Sequence, residues 1–217
     1  MIKVLLVDDQ PLVRTGIKRL LQDAPGIKVV GEANNGEEAF QLAKELAPDV
    51  VVMDVNMPGI GGLGATQKMK RHNMDIKILA LTIYEGEPYP SRLLQAGASG
   101  YITKGCDIEE MIRAIRAINS GQCYITPKIA QQIAIKRVTK KETSPLDLLS
   151  ERELQIMLMI TQGQKVQDIS KKLCLSPKTV NSYRYRIFEK LHINSDVELT
   201  LMAMHLGMIE GAKTEAE

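Results

Sequence analysis

Long apolar runs are missing from this 217-residue chain; none approaches the length of a membrane span, which points away from a membrane protein. The opening stretch MIKVLLVDDQ is interrupted at once by acids, so it lacks the apolar core of a signal peptide. Cysteine is scarce: Cys106, Cys123 and Cys174 are odd in number and far apart, and form neither a zinc-type pair nor a disulfide framework. They are expected as small packing residues of a cytoplasmic chain. A dominant charge of either sign is absent too, with 28 basic and 26 acidic residues and a net charge of +2. No internal repeat is present, which sets aside solenoids and propellers.

What is there is an ordinary globular composition, 44% apolar and 25% charged, over a length that accommodates two modest domains. Charge is unevenly spread. Residues 1–120 carry 14 basic and 15 acidic residues, whereas Lys128, Lys136, Arg137, Lys140 and Lys141 face only Glu142 in 121–145. The first 120 residues alternate short apolar runs with helical stripes five times. This pattern predicts a doubly wound, five-stranded parallel α/β sheet with helices on both faces. The strands are expected at 3–7, 28–33, 50–53, 78–81 and 100–103. Asp107 is expected to cap the last helix of the sheet region, and Gly64 to delay the start of the third. Residues 121–145 read as a linker with a short helix from Pro127, and Thr139–Pro145 as its flexible part. From 146 to 210 the pattern is helical only, which predicts a carboxyl-terminal four-helix domain; 211–217 form a polar tail. Ser150 with Glu153 is a capping-box signature. Val166 offers no capping side chain to the helix it begins.

Five residues fall at the carboxyl ends of predicted strands, the edge where open α/β sheets bind ligands. They are Asp8, Asp9, Asp54, Thr82 and Lys104. Asp54 closes the run Val50–Met53 and is placed to act as a nucleophile toward a phosphoryl group. Asp8, Asp9, Asp54 and the backbone carbonyl of Asn56 suit Mg2+, which prefers hard oxygen ligands. Lys104 and Thr82 can hold phosphoryl oxygens through a charge and a hydroxyl. Singly, each of these residues is more often a loop cap or a solvated side chain. Their joint placement after four separate strands is what carries the reading. His192 and His205 are expected as surface or packing residues.

Asp8-Asp9, Asp54 with Met57-Pro58, Thr82 and Tyr101–Gly105 resemble the receiver domain of bacterial response regulators, over residues 1–120. The resemblance implies that a sensor histidine kinase phosphorylates Asp54. It also implies that Thr82 moves toward the phosphoryl group while Tyr101 turns inward behind it. Pro88 and Pro90, which weaken the intervening helix, fit such a switch; a tyrosine fixed in the core is the alternative.

In the carboxyl-terminal region a short helix, a turn at 174–176 and a longer helix have helix-turn-helix spacing. On the longer helix Val180, Ile187, Leu191 and Tyr183 form an inward stripe. Asn181 and Ser182 are placed to read base edges and Arg184 to read guanine or hold phosphate, with Tyr185 on the same outer side. Lys178, Thr179 and Lys190 are expected to position the DNA backbone. Leu149–Glu153, Gly163, Asp168-Ile169, Thr179-Val180 and Lys190-Leu191 resemble the LuxR-type helix-turn-helix. Together the two resemblances identify a NarL/FixJ-type response regulator, and the stretches SPKTVNSYRYRIFEKL and QAGASGYITKG resemble its GacA/UvrY/SirA branch. That likeness implies a hybrid sensor kinase, promoter DNA and RNA polymerase as partners, and small regulatory RNA genes as targets. Val197, Leu201 and Met204 on the last helix suggest a contact for a homodimer on DNA, as LuxR-type domains use.

Two rivals belong to other classes. An aspartyl-phosphate phosphatase needs a second acid to protonate its leaving group, and Val55–Pro58 offer none, so an enzyme is not expected. A phosphate-independent DNA-binding regulator, its receiver serving only as a dimerisation module, sits poorly with five intact site residues.

Overall fold

A computed structural model describes residues 1–72, 74–84, 88–138, 145–206 and 208. The chain divides into two compact units, one built from 1–84 with 90–131 and the other from 85–89 with 132–217.

The first unit is a parallel sheet in the order β2-β1-β3-β4-β5-β6. Its strands are β1 (Ile2–Val7), β2 (Ile27–Ala33), β3 (Val50–Asp54), β4 (Lys77–Thr82), β5 (Gly100–Thr103) and β6 (Tyr124–Ile125). The helices are α1 (Pro11–Gln22), α2 (Gly36–Leu46), α3 (Gly61–Arg71), α4 (Tyr89–Gln95) and α5 (Ile108–Asn119), followed by α6 (Pro127–Val138). Strand periodicity divides the core into two layers. Val4, Leu6, Val50, Val52, Leu79 and Leu81 pack with Ile115 and Ile118 of α5. The alternate residues Leu5, Val7, Val51, Met53 and Ile78 pack with Phe40 of α2 and Met69 of α3. Burial on both faces explains why these strands read as unbroken apolar runs. Each such side chain contributes about 1.5–3 kcal/mol of transfer free energy.

Two expectations are revised. The sheet has a sixth strand, because Tyr124 and Ile125 pair with Gly100 and Tyr101; two residues are too short a run to show a period. Helix α3 begins at Gly61, before Gly64, so Gly64 does not delay it. Gly62 explains the early start: a Cβ there would lie 2.1 Å from the Asp54 carbonyl oxygen, so glycine lets the helix abut the end of β3. Asp107 caps α5, accepting from Glu110 N at 2.6 Å.

The second unit contains a 3-10 turn (Pro145–Leu148), α7 (Glu151–Thr161), α8 (Val166–Lys172), α9 (Pro177–Leu191) and α10 (Asp196–His205). The capping box at Ser150 and Glu153 starts α7, and Gly163, at φ +75°, follows its end. Helix α8 starts without a side-chain cap, whereas Ser176 and Ser195 cap α9 and α10. Leu154, Met157, Ile169, Val180, Ile187, Leu191 and Leu199 form the buried interior. Most of the linker expected at 139–145, and the tail 211–217, lie outside the described residues. Among those residues no helix is long and apolar enough to cross a membrane.

Candidate functional site

The register brings the strand ends level. Val7 pairs with Met53, Asp54 with Leu81 and Thr82 with Thr103, so the residues that follow meet at one edge. Carboxylate oxygens of Asp8, Asp9 and Asp54 lie within 4.8 Å of one another. Lys104 Nζ is 2.8 Å from Asp8 Oδ2 and 2.9 Å from Asp54 Oδ2. Asp8 and Asp54 are buried, with side-chain exposures of 0% and 1%. Asn56 N donates to Asp54 Oδ1 at 3.0 Å, folding the following loop back over the carboxylate.

Charge defines what this cluster accepts. Three carboxylates and one ammonium leave a formal charge of −2 in a largely buried site. Burial raises the Asp54 pKa, although Lys104 and the Asn56 amide pull it down. Burial also works against the Lys104 ammonium, yet the adjoining Asp54 and Asp8 carboxylates outweigh it and its pKa is raised. Asp8 Oδ2 receives the charge of Lys104 but no properly directed hydrogen bond. A buried carboxylate oxygen in that state, beside two further carboxylates, fits a small divalent cation with oxygen ligands.

Thr82 and Tyr101 are fully buried. Thr82 Oγ1 accepts from Tyr84 N at 3.2 Å, and Tyr101 OH donates to Tyr84 O at 2.7 Å. Tyr84 carried no sequence signal, because its role uses backbone groups that every residue has.

On α9 the expected DNA-facing residues separate into two sets. Lys178, Ser182 and Tyr185 are exposed, with Asn181 and Thr179 partly so. Thr179 Oγ1 is 2.8 Å from the Ser176 hydroxyl, and Ser182 Oγ donates to Lys178 O at 3.0 Å. Arg184 and Lys190 are each paired with an acid of the same domain. Both Arg184 Nε and Nη2 donate to the Asp196 carboxylate at 2.7 Å, and the guanidinium lies 5.1 Å from the Phe188 ring centroid. Lys190 Nζ donates to Glu153 Oε2 at 2.6 Å, where Glu153 is 4% exposed. Their charges are answered inside the domain by acids 12 and 37 residues away in sequence. Val197, Leu201 and Met204 of α10 stand 68%, 50% and 37% exposed, an apolar stripe at helical spacing.

Residues 4–116 match the response regulator receiver domain, and residues 147–203 match the bacterial regulatory proteins of the luxR family. The chain is 62% identical over 213 residues to the response regulator GacA of Pseudomonas syringae pv. syringae (strain B728a), covering 98% of this chain and 100% of that protein. It is 57% identical over 209 residues to the response regulator UvrY of Escherichia coli (strain K12), covering 96% of each. Among solved structures, a LuxR-family two-component response regulator from Aurantimonas sp. SI85-9A1 is 43% identical with a TM-score of 0.61, over 64% of this chain and 99% of that one. RcsB from Salmonella enterica serovar Typhimurium, bound to promoter rprA in the presence of the phosphomimetic BeF3-, shares the fold. Its TM-score is 0.66 at 24% identity, over 96% of this chain and 100% of that one.

Proposed function

We propose that this chain, which belongs to the GacA/UvrY-type two-component response regulators that bind DNA and regulate transcription, takes its phosphoryl group on Asp54. The observation that carries the proposal is the cluster of Asp8, Asp9 and Asp54 around Lys104, with its formal charge of −2. A sensor histidine kinase is the donor. An Asp54 carboxylate oxygen attacks phosphorus, the P–O bond forms as the P–N bond to the phosphohistidine breaks, and the imidazole nitrogen keeps the electron pair and takes a proton. Asp8, Asp9, Asp54 and the Asn56 carbonyl would hold Mg2+, which would supply charge neutralisation for the phosphoryl oxygens. Lys104 pairs with one of those oxygens, and Thr82 turns its hydroxyl to another. That turn gives up the contact from Tyr84 N and alters the support of the segment beneath Tyr101.

The output is DNA binding by α9 through Lys178, Thr179, Asn181, Ser182 and Tyr185. The exposed stripe of α10 supports pairing of two copies on a two-fold promoter site, with RNA polymerase as the downstream partner. Kinship with GacA and UvrY supports small regulatory RNA genes as targets. The test combines intact-mass measurement and promoter binding, with and without acetyl phosphate and Mg2+. Wild type is expected to gain one phosphoryl group and DNA affinity, and Asp54→Asn neither. Equal DNA binding by both proteins under phosphorylating conditions would favour the phosphate-independent regulator instead.

A further inference from the structure

Resting on the Mg2+-dependent acceptor reading above, we infer that Arg14 is a positioning residue for the cation site, acting through the backbone of Asp8 and held in place by Glu32. Arg14 Nη1 donates to the Asp8 carbonyl oxygen at 2.7 Å, and Arg14 Nε donates to Glu32 Oε2 at 3.2 Å. The other oxygen of Glu32 accepts from Lys18 Nζ at 2.5 Å. Arg14 is 18% exposed and Glu32 30%, so the bridge between them is partly shielded from solvent.

Asp8 is fixed almost completely. Its N–H donates to Ala33 O at 3.1 Å, its Oδ1 accepts from Gln10 N at 2.8 Å, and its carbonyl accepts from Arg14. Its Oδ2 lies against Lys104. Helix α1 supplies no side-chain cap from Gln10 to stiffen the loop that carries Asp8 and Asp9. The guanidinium, one turn into the helix, performs that task from inside.

The strand partner is placed by an irregularity. The β1–β2 register shifts after Val4, so Leu5 pairs with Gly31 and Leu6 with Glu32. Paired residues share a face, and Leu6 belongs to the layer in which Leu21 and Ile17 of α1 pack. The shift therefore turns Glu32 toward α1, where regular alternation would have turned it away. Two of the three cations on α1 then hold one acid: Lys18 first and Arg14 after it keep the Glu32 pKa low against the opposing effect of burial.

The planar fork of arginine suits a residue that must reach a carboxylate and a carbonyl together. Supports of metal ligands typically alter metal affinity about 10–100-fold when removed. The experiment uses the full chain with Arg14→Ala, Glu32→Gln and Asp8→Asn. Mn2+ binding is followed by loss of the free-ion EPR signal, with Mg2+ as competitor, and phosphorylation by acetyl phosphate is measured across Mg2+ concentrations. Arg14→Ala is expected to weaken Mg2+ binding about tenfold, and the isosteric Glu32→Gln to shift it the same way by less. At saturating Mg2+ the phosphorylation rate of both returns to near the wild-type value, which a general loss of structure would not permit.

Wild-type affinity in Arg14→Ala overturns the inference, and tighter binding does so too, since Arg14 would then merely repel the ion. So does a rate that stays low at saturating Mg2+ with affinity unaltered. If wild type takes up neither Mn2+ nor a phosphoryl group, the acceptor reading falls and this inference with it. If wild type takes up both, Asp8→Asn loses the ion and Arg14→Ala matches wild type, only the role of Arg14 falls.

Discussion

Thr82 and Tyr101 hold the same residue by its two backbone groups: Tyr84 gives its N–H to the threonine and takes the tyrosine hydroxyl on its carbonyl. A hydroxyl drawn from Thr82 toward a phosphoryl group therefore releases one side of a peptide segment whose other side Tyr101 fixes. Tyr101→Phe removes the second tether at a cost of about 1 kcal/mol. Chemical denaturation is expected to show that loss. Promoter titrations are expected to show a smaller gain in affinity on phosphorylation than wild type has.

Lys104→Met leaves Asp8 and Asp54 facing each other without a buried counter-charge. Breaking a buried pair from one side costs about 3 kcal/mol. The variant is expected to unfold at lower temperature in chelator. It should recover more than wild type on adding Mg2+, which at a hundredfold excess over Kd contributes about 2.7 kcal/mol. Phosphorylation by acetyl phosphate should nevertheless be slower, because the cation does not replace the ammonium contact to the phosphoryl oxygen.

The cations of α9 should behave in opposite ways. Lys178→Ala is expected to weaken promoter binding and to reduce the slope of log K against log salt by about 1. Lys190→Ala should leave that slope nearly unchanged and lower stability, since its ammonium answers Glu153. Burial raises the Glu153 pKa, but Lys190 and Ser150 outweigh it and hold the carboxyl below its ordinary 4.5. The stabilisation is thus complete above pH 4.5 and fades as pH falls through the lower folded value. Denaturation of wild type and Glu153→Gln should show a gap of about 1–2 kcal/mol at pH 7 that closes in acid.

Cys106 is half-buried near Glu110 and Asp107; burial first and those two acids after it push its thiol up to about 11. Cys123 and Cys174 are exposed. Iodoacetamide at pH 8 should therefore label Cys123 and Cys174 well before Cys106, as peptide mass mapping will read.

The acceptor residues could be found in the sequence because parallel strands buried on both faces advertise their ends: an apolar run stops, and the next residue lies at the ligand edge. Asp54 after Val50–Met53 is such a case, and Ser150 with Glu153 is the helical counterpart. Relations that join distant segments through generic groups were invisible. Glu32 reads as one more strand acid until the shift at Leu5 turns it toward Arg14. The recognition helix shows the same limit, since spacing places Arg184 and Lys190 on it but cannot reveal Asp196 or Glu153 opposite them. The two-residue β6 was too brief to declare a period at all.

That short strand has a mechanical consequence. By pairing with Gly100 and Tyr101, Tyr124 and Ile125 anchor the polypeptide as it leaves the sheet to the strand that bears Tyr101 and precedes Lys104. Tension on the chain beyond Ile125 reaches that strand before any other, and a displacement of that strand reaches the departing chain without an intermediary. The chain's exit from the sheet is hydrogen-bonded to the strand that carries Tyr101.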